Sequence, residues 1–469
     1  MSKKKTYNII TIGCQMNKSD SERIAGVLER EGYKWTDDRK LAGLIVINTC
    51  GVRQSAEDRV YGLIPKIKKD NPRVKVILAG CLSERKDVQK RLADKVDMWL
   101  PIKQISNFKF QIPNKFQIPN SKIQNCDYLK LKPKYESKFF AFVPIGNGCN
   151  NYCAYCVVPY ARGREIYRPA DEILTEVKSL VKKGYKEIIL IAQNVNSYAW
   201  QGTGSKTGKI VDFMKLLKMV NDIRGDFWIR FFTSHPKDMS DELIKIIATS
   251  DKVCEQMHLP VQAGDNEVLQ KMNRGYTVEE YLKLIKKINE VFNNQYPITL
   301  PPLKLRQASN NQKIINNQLS NNKIWRPPVA ITTDIIVGFP GETKKQFNNT
   351  LKLFKEMKFD MAYISKYSPR PGTAAYQLKD DVPKEEKKKR EEELIKVLNK
   401  TALENNKKYI NKIVEILVEG RGRKGEWRGQ ARTGKIVKIE GNNKKIKIGE
   451  FVKVKIKKAQ NFGLEGVLE

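Results

Sequence analysis

Three apolar, β-rich runs in the first hundred residues each end at a cysteine, and a charged stretch of helical period follows each one. They are "YNIITIG" running into Cys14, "LIVINTC" into Cys50 and "VKVILAGC" into Cys81. The first is followed by "SDSERIAGVLERE", which begins with an N-cap pattern and continues amphipathically. A βαβαβα order of this kind folds as a parallel sheet of the doubly wound type. Ligands of such sheets bind in the crevice outside the carboxyl ends of the strands. Three thiols with 35 and 30 residues between them can therefore converge in space. The plainer alternative is that three small, buried cysteines happen to end three strands.

A second βα series runs from 140 to 369. Its strands are "FFAFVPIG", "EIILIAQ", "FWIRFFTS", "VCEQMHLPV", "AITTDIIVGF" and "MAYISKYSP". Six such units predict a partial, open (β/α)6 barrel of TIM-like type. Just past its first strand, "GNGCNNYCAYC" places Cys149, Cys153 and Cys156 on one loop, at the end where barrel chemistry is built. Zinc would need a fourth ligand, which His235 or His258, the two histidines of the chain, can supply in principle. A four-iron cluster on three thiolates instead keeps one iron open, and the spacing favours the cluster.

The remaining segments divide the chain. "QISNFKFQIPNKFQIPNSKIQNC" carries a tandem repeat and reads as a loop insertion with Cys126 a bystander, and the Asn/Gln-rich stretch near 293–327 reads as a disordered insertion. From about 412, short strands turning at glycines predict a five-stranded β-barrel with basic strands suited to an RNA backbone. The expected boundaries are 5–103 for the first domain, 104–134 for the linker, 135–404 for the barrel and 405–469 for the small β-barrel.

Lys and Arg number 87 against 52 Asp and Glu, a net charge of +35, which points to a polyanionic partner with nucleic acid first. The bland alternative is lysine on every solvated face. Eight cysteines without a secretory leader argue for metal or redox use in a reducing compartment rather than disulfides, so a cytoplasmic protein is expected. No run approaches a membrane span, and the mean hydropathy is −0.53.

"CNNYCAYC" resembles the CxxxCxxC motif of radical S-adenosylmethionine enzymes, in which the cosubstrate fills the fourth position on the cluster and yields a 5′-deoxyadenosyl radical. "TIGCQMNKSDSE", "INTCGVR" and "LAGC" resemble the N-terminal domain of the methylthiotransferases within that superfamily, and the C-terminal barrel resembles their RNA-binding TRAM domain. "VVPYARGREIYRP", "AQNVNSY" and "FFTSHPKD" resemble the bacterial members that act on N6-isopentenyladenosine beside the anticodon of tRNA.

The resemblance implies two 4Fe-4S clusters, one on Cys14, Cys50 and Cys81 and one on Cys149, Cys153 and Cys156, with S-adenosylmethionine as cosubstrate. It implies a hydrogen atom removed from C2 of the adenine, and a sulfur and a methyl group delivered there. The expected partners are the anticodon stem-loop of tRNA, an electron donor such as flavodoxin or ferredoxin, and a sulfur donor. A monomer is expected. Other readings are methylthiolation of threonylcarbamoyl-adenosine or of a ribosomal-protein aspartate, and a non-catalytic iron–sulfur RNA-binding or electron-transfer protein.

By the same resemblance Gln193, Asn194 and Asn196 lie where the cosubstrate's methionine end binds, although such amides also satisfy loop backbone groups. Arg230 and His235 in "IRFFTSHP" suit contact with cosubstrate or nucleotide, although a histidine is more often a satisfied structural group. Gly338 and Gly341 are placed beside the adenine. Arg162 and Arg164 suit a phosphate or the cosubstrate carboxylate. Trp427 and Arg428 suit RNA, or else fill the small barrel. Cys254 reads as core packing.

Overall fold

The computed structural model describes residues 5–107, 127–202, 210–294, 299–300, 324–325, 327–441 and 446–469. The first domain is a sheet of β1 (Thr6–Ile12), β2 (Lys34–Trp35), β3 (Leu44–Thr49), β4 (Lys75–Gly80) and β5 (Met98–Leu100). All pairs are parallel and the order is β2-β1-β3-β4-β5. Every residue of β3 is buried. A strand covered on both faces has no use for polar alternation, which is why "LIVINT" shows none. The order reverses between β1 and β3, so the crevice opens beside Cys14 and Cys50.

The helices of this domain are α1 (Gln15–Arg30), α2 (Gln54–Asp70) and α3 (Lys86–Leu92). The helix α1 starts ahead of the expected cap, with Cys14 as its N-cap. Ser19, Asp20, Ser21, Glu22 and Arg23 are buried inside it. They read as a cap because they are polar, yet the helix lies between its own sheet, where Ser21 meets Thr11 and Asn48, and another domain, where Met16 packs with Phe142, Ile189 and Ile191 of the barrel.

The barrel strands are β6 (Phe140–Pro144), β7 (Glu187–Ile191), β8 (Trp228–Phe231), β9 (Gln256–His258), β10 (Ala330–Val337) and β11 (Met361–Lys366). They form two parallel three-stranded sheets, β6-β7-β8 and β9-β10-β11. An isolated parallel bridge between Ile229 and Val253 joins them. Six strands in that order make the open barrel expected. Alternate residues Ala141, Val143, Ile188, Leu190, Ile229 and Phe231 pack outward in one core with helical Val177, Leu216 and Ile247. The intervening Phe142, Ile189 and Ile191 point the other way, into the barrel.

The last domain is a closed barrel of β12 (Ile413–Arg421), β13 (Trp427–Ala431), β14 (Ile436–Glu440), β15 (Phe451–Gln460) and β16 (Gly463–Leu468), in the order β12-β13-β14-β16-β15. It docks at the N-terminal ends of the (β/α)6 strands. There Trp228 and Cys254 pack with Leu417, and Arg432 and Lys435 pair with Glu255 and Asp360. Trp427 is buried in its core under the Arg421 guanidinium, so it fills the barrel and is not offered to RNA. The disorder expected near 293–327 falls mainly outside the described residues, as does Cys126. Within the described part, Thr299–Leu300 pairs with Ile324–Trp325, and Trp325 packs on Tyr409. Among the described residues no helix is long and apolar enough to cross a membrane.

Candidate functional site

Cys149, Cys153 and Cys156 lie on the loop leaving β6. The loop opens with a short pairing of Gly146–Asn147 to Ile166–Tyr167. Gly148 has φ +86°, and a Cβ there would sit 2.2 Å from the Arg164 carbonyl oxygen, so only glycine lets the returning chain pass. Tyr152 is also left-handed, at φ +47°. A segment from far along the chain holds this loop. Asn273 Nδ2 donates to the Tyr152 carbonyl at 3.0 Å, and the Ala154 N–H donates to the Met272 carbonyl at 2.9 Å. Arg274 Nη1 stands 3.1 Å from Cys153 Sγ. None of residues 272–274 was singled out from sequence, because nothing in "KMNRGYT" announces a partner 121 residues away. Burial pushes the Cys149 thiol up to about 11 and the Cys156 thiol up to about 12.

Gln193, Asn194 and Asn196 follow β7 and split into two roles. Asn194 accepts from the His235 N–H at 3.1 Å and donates to Asp238 at 2.8 Å. Asn196 brackets His235, accepting from its N–H and donating to its carbonyl, both at 2.9 Å. These two amides shape the "SHPKD" loop. Gln193 Oε1, in contrast, is buried without a partner among the described residues. A buried acceptor left open at a strand's carboxyl end is suited to a ligand donor such as an ammonium. The His235 Nδ1 accepts from the Lys237 N–H at 3.3 Å. Burial, with Arg274 and Lys237 nearby, holds its pKa down to about 2, so the ring stays neutral.

Arg230 is corrected. It is buried mid-strand, with Nε 2.8 Å from Glu187, Nη1 2.6 Å from Gln256 and Nη1 2.9 Å from the Arg432 carbonyl. It fastens the small barrel to the (β/α)6 floor and does not reach the carboxyl end. Gly338 has φ +69°, and the space a Cβ would need is filled by Lys387, whose Cγ lies at 2.4 Å. Gly341, also left-handed, donates its N–H to Asp381. His258 faces the barrel interior, with Nδ1 2.9 Å from Thr332 Oγ1 and Nε2 3.5 Å from Asp334. His258 is thus engaged through both ring nitrogens and His235 through Nδ1.

The loops carrying Cys14, Cys50 and Cys81 meet at the carboxyl ends of β1, β3 and β4, although among the described residues no three His, Cys, Asp or Glu side chains are gathered closely enough to hold a metal ion. A Cβ on Gly13 would lie 3.0 Å from Cys50 Cβ, and one on Gly51 would lie 3.1 Å from Cys81 Cβ, so the three loops touch. Cys14 is exposed, while Cys50 and Cys81 are buried. Asn17 and Asn48, also missed from sequence, lock the loops. Asn17 Oδ1 accepts from the Cys14 N–H at 3.2 Å, and the Asn48 Nδ2 donates to the Asn17 carbonyl at 2.7 Å. Burial and the neighbouring Cys81 and Cys14 push the Cys50 thiol up to about 11.

One arginine stands between the triads. Arg162 follows the Cys149–Cys156 loop in the helix α4 (Val158–Arg162). Its Nη2 lies 2.5 Å from Asp20 of α1 and its Nη1 lies 3.0 Å from Asn147. Its charge acts on Cys14 and Cys81. It is fully paired and buried, so it does not meet a phosphate or the cosubstrate carboxylate, whereas Arg164 is exposed. A second tie is Glu57 of α2, which accepts from Arg85 at 2.7 Å and from Arg370, beyond β11, at 2.9 Å.

Residues 6–101 match the uncharacterized protein family UPF0004, residues 143–304 the radical SAM superfamily and residues 407–468 the TRAM domain. The chain is 41% identical over 479 residues to a tRNA-2-methylthio-N(6)-dimethylallyladenosine synthase of Clostridium botulinum, covering 98% of this chain and 96% of that one. It is 40% identical over 479 residues to the synthase of the same name from Carboxydothermus hydrogenoformans, covering 99% of each. A solved radical S-adenosylmethionine methyltransferase of Kitasatospora setae, bound to cobalamin and a 4Fe-4S cluster, aligns at a TM-score of 0.47 with 13% identity, over 79% of this chain and 77% of that one.

Proposed function

The chain belongs to the tRNA-2-methylthio-N6-dimethylallyladenosine synthases, and on that premise we propose that its two cysteine triads hold two 4Fe-4S clusters in one chamber. The enzyme is a transferase that methylthiolates C2 of N6-isopentenyladenosine in tRNA by radical S-adenosylmethionine chemistry. Cys149, Cys153 and Cys156 hold the barrel cluster, and Cys14, Cys50 and Cys81 hold the second. Three thiols on one loop, and at the end of the neighbouring strand a buried acceptor with no partner among the described residues, suit a cluster whose remaining position is taken by an amino-acid cosubstrate. When bound, these groups supply the 5′-deoxyadenosyl radical and the sulfur, chemistry no side chain offers.

The protein's own residues bind, orient and exclude water. Gln193 accepts from the cosubstrate ammonium. Asn194 and Asn196 hold the loop that carries neutral His235. Met16, Phe142, Ile189 and Ile191 form an apolar cluster that keeps water from the barrel interior. Asp20 and Arg162 fix one triad against the other. The exposed Lys455 and Lys457 of β15, together with a net charge of +35, receive the tRNA backbone. The domains run 5–103, 104–134, 135–404 and 405–469, which the three family matches support. A one-electron donor such as flavodoxin or ferredoxin, a sulfur donor, a monomeric state and a cytoplasmic location complete the reading.

The observation that carries it is the Asp20–Arg162 pair, which joins the helix capped by Cys14 to the helix that follows Cys156. The test compares tRNA nucleosides, by mass spectrometry, from cells with and without the gene. Loss of the 2-methylthio-N6-isopentenyladenosine peak is expected. An unchanged peak, or a purified enzyme that acts on threonylcarbamoyl-adenosine instead, overturns the substrate assignment.

A further inference from the structure

Arg274 lacks the carboxylate partner that most buried arginines of this protein have; Arg23, which donates to the Ser19 hydroxyl, shares that lack but touches no cysteine of either triad. Arg162, Arg230, Arg370, Arg390 and Arg432 each pair with a carboxylate. Arg274 is 5% exposed, and its partners are the Cys153 thiol at 3.1 Å, the Tyr155 and Tyr276 hydroxyls at 3.5 and 3.0 Å, and the Pro260 carbonyl at 3.0 Å. Among the described residues no Asp or Glu forms an ion pair with it. A buried cation without a counter-charge is strongly disfavoured. Its counter-charge is therefore the triad itself, once the thiols are thiolates around iron.

We propose that Arg274 is a positioning residue that sets the reduction potential of the barrel cluster, through an N–H···S bond to Cys153 and a positive charge sealed from water. The inference rests on Cys149, Cys153 and Cys156 being cluster ligands. The potential of such a cluster follows its net charge, the hydrogen bonds to its sulfurs and its exposure. Reduction adds one negative charge, and a fixed cation at one sulfur favours the reduced state. Arg274 thus makes the electron-accepting step, which must precede cosubstrate cleavage, easier. A purely structural role as a brace for Pro260 and Tyr276 would leave the potential unmoved.

The test uses the full-length chain carrying Cys14→Ser, Cys50→Ser and Cys81→Ser, reconstituted anaerobically so that only the barrel cluster reports by electron paramagnetic resonance. In Arg274→Gln the ratio of reduced to oxidised cluster at a fixed poise falls tenfold or more, which is about 59 mV for a one-electron couple. Arg274→Lys, which keeps the charge, recovers most of that loss. A wild-type ratio in Arg274→Gln with its iron intact, or a loss in Arg274→Lys as large as in Arg274→Gln, overturns the proposal. A second measurement needs no substitution at Arg274: in protein carrying 15N-guanidino arginine, the reduced cluster shows a 15N coupling by pulsed resonance. Its absence overturns the proposal. A chain that binds no iron in this background overturns the ligand assignment instead, so the two failures are distinguishable by iron content.

Discussion

Asp20→Ala cuts the tie between the triads at its most buried point. The Asp20 side chain is 0% exposed and that of Arg162 is 2% exposed. Besides Arg162, Asp20 accepts from the Tyr128 hydroxyl. With Asp20 truncated, the Arg162 guanidinium keeps no carboxylate among the described residues and bonds to the neutral Asn147 oxygen at 3.0 Å. Removing one partner of a buried pair costs about 3–5 kcal/mol, against a total stability of roughly 5–15 kcal/mol. With a urea slope of about 2 kcal/mol/M, the unfolding midpoint falls by about 1.5–2.5 M. The double variant Asp20→Leu/Arg162→Met removes both charges and should return to within about 1 kcal/mol of the parent, because apolar replacements of a buried pair are tolerated.

The same cut separates two activities. Formation of 5′-deoxyadenosine depends on the barrel triad alone and should persist in Asp20→Ala. Methylthiolation needs both triads in register and should fall, raising the ratio of 5′-deoxyadenosine to methylthiolated tRNA at least about tenfold, the factor set by roughly 1.4 kcal/mol of misplacement. A midpoint shift below about 0.3 M, smaller than any buried-pair loss, would refute the energetic reasoning. An unchanged product ratio would refute the register argument.

Arg230→Met should loosen the docking of the small barrel, seen as faster proteolysis between the domains, while S-adenosylmethionine affinity stays unchanged; a weakened cosubstrate would return Arg230 to the site. Glu22 is buried, and burial raises its carboxyl to about 7 although the Glu136 N–H bonded to it works the other way. The folded state therefore holds this proton more tightly than the unfolded one, so stability is full below about pH 4.5 and is lost as pH rises through about 7. Glu22→Gln escapes that loss, and its urea-unfolding advantage should grow by up to about 3 kcal/mol from pH 5 to pH 8; a constant advantage would contradict the assignment. Lys455 and Lys457 are both exposed on β15. Replacing both with Ala should reduce the slope of log affinity for tRNA against log salt by roughly 1.4–1.8, measured by filter binding, and an unaltered slope would place the RNA elsewhere.

What was legible in the sequence was local. Cys149, Cys153 and Cys156 share one loop, and Cys14, Cys50 and Cys81 each end a strand, so spacing and the crevice rule locate both triads. The rest depends on contacts between distant segments. Asp20 meets Arg162 across 142 positions, and Arg230 meets the Arg432 carbonyl across 202. By sequence Arg230 suits contact with cosubstrate or nucleotide, but its partners are Glu187 on the neighbouring strand and the small barrel below. Gly338 does permit a close approach, but of the Lys387 stem. Asn194 and Asn196 had two sequence readings, and the hydrogen bonds to His235 favour the structural one.

The burial of "SDSER" within α1 shows why two triads on separate domains can share one chemistry. The apolar contact of Met16 with Phe142, Ile189 and Ile191 removes area from water, but hydrophobic burial is non-directional and tolerates sliding. A slip of α1 by one helical turn would carry Cys14 by about 5.4 Å, enough to undo any transfer between the two centres. Asp20 cannot slip that far without leaving Arg162 buried and unpaired. The polar residues that read as an N-cap therefore fix the register of this helix, and with it the placement of Cys14 relative to Cys149, Cys153 and Cys156.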